Sequence, residues 1–292
     1  MPEFNVLNVE PARAAIRNVF IERIVHAKGI DKAAKRFDAV LMPTPAAVMD
    51  GAKLLAEGSD TTPGLGNLII VDVGGATTDV HSIGEGNPTS EGVVHYGLPE
   101  PYAKRTVEGD LGMRHNARAI VEAVGIDAFS AEVDLTPDAV EELLQKIEGD
   151  VERIPDNQEE TTFDTALASN AVARAMARHA GRIEIKQSVT GPVAVQYGKD
   201  LTATNTVIGT GGVLVHGSMP ETILSAALYD SSASESLRPK NPDLMIDSGY
   251  ALYAVGLLAA VDKDAALRLA QNSLTTLPAM TKETTHDRPP AA

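Results

Sequence analysis

The most constraining feature of this chain is the apolar run Asn67 to Val73 (N-L-I-I-V-D-V). It is cut by Gly74-Gly75 and followed by Ala76 to Ile83 (A-T-T-D-V-H-S-I). A continuous apolar strand needs cover on both faces, so it belongs inside a sheet with helices on either side. The segment after the glycines alternates with a period of two, as a strand does. Gly84 to Pro88 turns again, and Gly92 to Tyr96 reads as a third short strand. The three are expected to form an antiparallel meander.

Helical spacing is found over 8–29, over 46–56 behind Pro43-Thr44-Pro45, and over 109–124. Asp38 to Met42 reads as a short strand. Residues 127–162 are acidic and loop-rich and read as an insertion. Within it Thr136-Pro137-Asp138 starts a helix running to about Glu148. An alanine-rich helix follows over 164–181. Strands are expected at 183–189, 193–197, 204–208 and 243–246. Helices are expected from Gly212 and over 219–229, 248–260 and 264–274. The last residues, 281–292, have no apolar period and read as disordered. Meander strands followed by alternating helices and strands predict an α/β fold of ribonuclease-H-like plan: a mixed sheet with helices on both faces.

Composition narrows the function. The chain of 292 residues carries a formal charge of −15, with 25 Lys+Arg against 40 Asp+Glu, too few cations to build a phosphate-neutralising face for nucleic acid. Aromatics are 4% and Trp is absent, which argues against base-stacking platforms. Cysteine is absent, which excludes disulfides, thiolate chemistry and iron–sulfur clusters. No apolar run is long enough for a bilayer span, and Met1-Pro-Glu-Phe-Asn-Val lacks the basic start and apolar core of a signal peptide. The expectation is a cytoplasmic protein with no membrane partner. A chain this acidic would have to bind a nucleotide with backbone amides and a metal.

Asp72-Val73-Gly74-Gly75-Ala76-Thr77-Thr78-Asp79 supplies such a set. An acid ends a buried strand, two glycines let backbone N–H groups converge, and hydroxyls and a second acid follow. β,γ-Phosphates and Mg²⁺ require these groups. Asp72 is the candidate catalytic acid, and Asp72 and Asp79 are the candidate metal ligands. Gly74, Gly75, Ala76, Thr77 and Thr78 are the candidate phosphate contacts. A plain hairpin turn is the alternative. Val207-Ile208-Gly209-Thr210-Gly211-Gly212 is a second strand end broken by glycines, with a helix beginning there. Gly209, Thr210, Gly211 and Gly212 are candidates to flank adenosine. Neither Gly-x-Gly-x-x-Gly nor a Walker A sequence occurs, nor do His-x-His, His-Glu-x-x-His or Gly-x-Ser-x-Gly. His81, close behind the first motif, reads as a sheet-surface histidine. In Arg105 to Arg114 (R-T-V-E-G-D-L-G-M-R), Asp110 reads as a helix N-cap, with a nucleotide or partner contact by Arg105 or Arg114 as the alternative.

Together the two glycine motifs resemble the phosphate-2 and adenosine elements of the actin, sugar kinase and heat-shock chaperone ATPase superfamily. Pro43 to Gly51 (P-T-P-A-A-V-M-D-G) and Asp247 to Gly256 (D-S-G-Y-A-L-Y-A-V-G) resemble its two connecting helices. More narrowly, V-L-M-P-T-P-A-A-V (40–48), V-D-V-G-G-A-T-T-D-V-H-S (71–82), V-E-G-D-L-G-M-R (107–114) and V-I-G-T-G-G (207–212) resemble the glutamate mutase accessory ATPases. The resemblance implies an ATP- and Mg²⁺-dependent reactivating factor. Its partner would be an adenosylcobalamin-dependent mutase, from which it would release damaged cofactor.

No Asp-x-Gly-Ser/Thr hairpin, the superfamily's phosphate-1 element, precedes Asp72. The chain therefore reads as a C-terminal portion with an incomplete first lobe. Its expected parts are a helical remnant of that lobe (1–58), a nucleotide-binding second lobe (59–242), connect-2-like helices (243–275) and a tail (276–292). Whether it is an enzyme is left open on this reading. A silent scaffold and a small-molecule kinase of the same fold are the alternatives, and homo-oligomerisation is compatible with all three. The acidic 127–162 stretch reads as solvated surface, with a docking surface as its alternative.

Overall fold

The computed structural model describes residues 44–278 apart from Thr190, together with single helical positions at 11, 15 and 19. Beyond those three positions, the predicted helix 8–29 lies outside the described residues. So do the predicted strand 38–42 and the tail from residue 279.

The first described helix is α1 (Thr44–Glu57). Strands β1 (Leu68–Val73) and β2 (Thr78–Ile83) follow, then β3 (Val94–Tyr96) and β4 (Ala103–Glu108). Helices α2 (Ala117–Val124), α3 (Ile126–Val133), α4 (Pro137–Gly149) and α5 (Gln158–His179) come next. Then come β5 (Arg182–Ser188), β6 (Gly191–Tyr197), β7 (Thr206–Thr210), α6 (Gly212–His216) and α7 (Pro220–Ser225). The described chain closes with β8 (Asp243–Asp247), α8 (Leu252–Ala259), α9 (Lys263–Ser273) and β9 (Leu274–Thr276).

Six strands form one mixed sheet in the order β4-β2-β1-β7-β8-β9. β4, β2 and β1 are antiparallel neighbours, β1, β7 and β8 run parallel, and β9 returns antiparallel. β1 is central, and its alternation separates two cores. Ile69, Val71 and Val73 face the layer containing α2 to α5, whereas Leu68 and Ile70 face α1, α8 and α9. Helices therefore cover both faces, as the apolar run requires. Burying one such side chain is worth about 1.5–3 kcal/mol, so β1 anchors both layers.

Several expectations need correction. The third meander strand is β4, not Gly92–Tyr96. Val94–Tyr96 pairs in parallel with β6 in a separate three-stranded sheet, β3-β6-β5. A-K-R-T-V-E carries no apolar alternation because β4 is an edge strand, where charged side chains are favoured. Helix α2 begins at Ala117, not 109, and residues 109–116 form a loop. The 127–162 stretch is mainly helical, and Phe129, Val140, Leu143, Leu144 and Ile147 are buried in the core. Helix α5 starts at Gln158 because Asn157 caps it, its Oδ1 accepting from Glu160 N at 2.9 Å. Helix α7 ends at Ser225, short of the expected 229. At the C-terminal end, Thr276 lies in β9 and is not part of a tail.

Candidate functional site

The site is built at the carboxyl ends of β1 and β7, where ligands of open α/β sheets collect. Gly74 and Gly75 make the turn out of β1. Gly74 N donates to Thr77 O at 2.9 Å, which tightens the turn. The loop after β4 packs under it: Met113 N donates to Gly74 O, and Arg114 N and His115 N to Gly75 O, at 2.9–3.1 Å. Gly112 permits this approach, since a Cβ there would lie 2.2 Å from the Ala76 carbonyl carbon. Just past β7, Gly211 has φ +99°, and a Cβ would meet Val73 O at 2.3 Å. The two glycine-broken strand ends are thus in direct backbone contact.

They open onto one cleft of about 410 Å³, whose lining includes Gly74, Gly75, Arg114, Gly212, Met219 and Tyr250. That volume falls within the usual range for small-molecule sites. Arg114 is fixed in its wall by a bidentate ion pair with Asp164, at 3.1 and 2.5 Å. Of the segment 105–114, Met113 and Arg114 line the cleft. Asp110 is not a helix N-cap but pairs with Arg178, and Arg105 pairs with Asp79.

Not every predicted residue reaches this cleft. Thr78 is buried and donates to Leu111 O at 2.8 Å. Gly209 is a packing position, where a Cβ would strike Ile246 at 2.9 Å. Thr210 is buried and donates to Asp247 at 3.2 Å. Ala76 is exposed at the turn, and Thr77 donates to Asp79 Oδ2 at 2.9 Å. Asp79 Oδ1 accepts from Arg105 Nε and Nη2 at 2.9 and 2.7 Å, so both oxygens of Asp79 have protein partners.

Asp72 stands in register with Asp79 on β2 and Thr210 on β7. With Asp247 beyond Thr210, a polar row crosses the sheet on the α1, α8 and α9 face. Burial, then the charge of Asp79, pushes the Asp72 carboxyl up to about 6; Arg105 opposes this and Asp247 adds to it. An acid held so close to its protonated form is only partly compensated by Arg105, an environment suited to a cation. Among the described residues no group of three or more His, Asp or Glu side chains is gathered to hold a metal alone. A cation at Asp72 could complete its shell with ligand oxygens and water, as Mg²⁺ commonly does. His81 is buried on the same face, and desolvation lowers it to about 4.

Asp247 also holds the entry to α8, accepting from Ala251 N and Leu252 N at 3.0 and 3.1 Å. Helices α8 and α1 cross at glycines: Gly256 lies against Ala47 O, where a Cβ would come within 1.7 Å, and Gly51 faces Leu252 O. The two segments resembling connecting helices are thus neighbours in space.

The MutL protein family matches residues 1–274. This chain belongs to the MutL family. "Protein MutL" of Clostridium tetanomorphum is 47% identical over 275 residues, which are 94% of this chain and 59% of that protein. The chain thus spans about three fifths of that relative's length. Among the described residues no helix is long and apolar enough to cross a membrane.

Sequence reasoning missed Tyr250 and left Arg114 only as an alternative. Tyr250 lies far along the chain from Gly75, and no local pattern reports that they share a cleft.

Proposed function

We propose that this chain is the ATP-binding portion of an accessory ATPase that reactivates an adenosylcobalamin-dependent mutase of the glutamate mutase type. One observation carries the reading: the Gly74-Gly75 turn and the helix start at Gly212 border the same cleft. The strand order and the crossing of α1 and α8 at glycines support an actin-like plan. The family supports the mutase as partner. In this reading the Gly75 amide, in the turn that borders the cleft, holds the β,γ-phosphates and the Gly212 end of the cleft takes the adenosine. Asp72 holds Mg²⁺ directly or through water, and Asp79 positions Arg105. Bound Mg²⁺ would neutralise charge developing on the phosphates. Closure around ATP would then drive exchange of damaged cofactor on the partner, a hinge-type switch.

Thermal unfolding with and without Mg–ATP tests the binding step. A ligand at a hundred times its Kd stabilises by about 2.7 kcal/mol, a shift of several degrees for a chain of this size. Asp72→Ala should abolish the shift, and its absence in the wild-type protein would refute the reading. Phosphate release by the chain, raised by a cobalamin-dependent mutase and not by sugars or small acids, tests the partner.

A further inference from the structure

We propose that Tyr250 contacts the nucleotide, its ring forming part of the cleft wall and its hydroxyl donating a hydrogen bond to the phosphate chain. This role rests on the ATP reading above.

Two non-glycine residues among those described have positive φ, Asp134 and Tyr250. Asp134 is ordinary: it is the left-handed C-cap of α3. Tyr250, at φ +50°, caps no preceding helix. A bulky residue rarely takes this conformation, and strain of this kind collects at functional sites. The turn is held from below by Asp247, whose carbonyl accepts Tyr250 N at 2.9 Å and whose carboxylate accepts the next two amides. The strain gains no core packing, because the Tyr250 side chain stays half exposed. A glycine would satisfy the turn at lower cost, so neither turn chemistry nor packing explains a tyrosine here.

Its position does. Tyr250 lines the cleft with Gly75 and Gly212, yet its hydroxyl also senses Asp72 and Asp247 on the other face of the sheet. Asp72 and Val73 point to opposite faces, so a ligand reaching from the cleft to Asp72 must pass over the strand end. Tyr250 stands beside that path. A phenol is protonated at neutral pH and can donate a hydrogen bond to a phosphate oxygen.

The test is calorimetric titration of Mg–ATP and of adenosine into the wild-type chain, Tyr250→Phe and Tyr250→Gly, with the unfolding midpoint of each. Loss of one hydrogen bond to a charged phosphate oxygen predicts Mg–ATP binding at least about ten-fold weaker for Tyr250→Phe, with adenosine binding and midpoint unchanged. Tyr250→Gly should bind Mg–ATP more weakly still, with a midpoint no lower than wild type, because it loses the ring and relieves the strain. A merely structural tyrosine would lose affinity and stability together, and that result overturns the proposal. So does wild-type affinity in both variants. A wild-type chain that fails to bind Mg–ATP would remove the ATP reading, and this role with it.

Discussion

Asp72→Asn should make the protein more stable at neutral pH while removing its response to Mg–ATP. The folded carboxyl titrates at about 6, against 3.8 without the protein environment. Between these values the folded state binds more protons than the unfolded state, so stability falls as pH rises from about 4 through 6 and then levels off. At 1.36 kcal/mol per decade of pH, the ionised carboxylate costs about 3 kcal/mol at pH 7.5. Asparagine keeps the shape and cannot ionise. Urea denaturation at pH 4, 6 and 7.5 would check the reasoning. The variant should match wild type at pH 4 and exceed it by up to about 3 kcal/mol at pH 7.5, with unchanged m-value. Other titrating groups are common to both proteins and cancel in the difference. Equal or lower stability of Asp72→Asn at pH 7.5, or a gap that does not close on acidification, would refute the account of Asp72 as an incompletely compensated, desolvated charge.

Neighbouring glycines should separate packing from binding. Gly211→Ala combines left-handed strain with a contact against Val73 O and should lose at least about 2 kcal/mol in denaturant melts. Gly212→Ala adds a methyl into open space at the cleft, so stability should hold while Mg–ATP affinity falls in titration. Gly256→Ala forces α8 off the Ala47 carbonyl and should lower the unfolding midpoint, with overpacking worth about 1–3 kcal/mol. Thr136→Ala removes the cap that accepts Ala139 N at 3.2 Å and should cost about 1 kcal/mol, with Mg–ATP binding unchanged.

What the sequence revealed follows from how local each signal is. β1 was legible because both its faces are buried, which forces an unbroken apolar run. β2 was legible because its outline alternates and glycines bound it. Helix α4 announced itself through Thr136-Pro137, and the same kind of signal, Asn157 followed by Glu160, marks the true start of α5. β4 was not legible. Its partners are Thr78 to Ile83 on one side and nothing on the other among the described residues, so its composition is that of an exposed edge. The Val94–Tyr96 segment was placed in the wrong sheet because its partner, β6, lies about a hundred residues downstream, and pairing at that distance leaves no mark on local composition. At the site, the glycines that touch the cleft were found by type. Their division of labour was not, because whether Gly209 packs against Ile246 or faces a ligand depends on the neighbouring strand.

The arrangement explains why two glycines follow Asp72. The acid and the cleft lie on opposite faces of β1, separated by one residue, Val73. For Asp72 to act on a ligand held in the cleft, that ligand must bend across the end of the strand. A Cβ at Gly74 would meet Thr77 O at 2.9 Å, and one at Gly75 would sit 3.5 Å from the Arg114 side chain. Gly211 brings β7 close enough for the helix start at Gly212 to share the same rim. The glycines therefore bring the strand ends together and leave a bare ledge between an acid and a hollow. The polar row that ends in Asp247 fixes the turn carrying Tyr250, the one large side chain at that ledge for which neither packing nor turn geometry gives a reason.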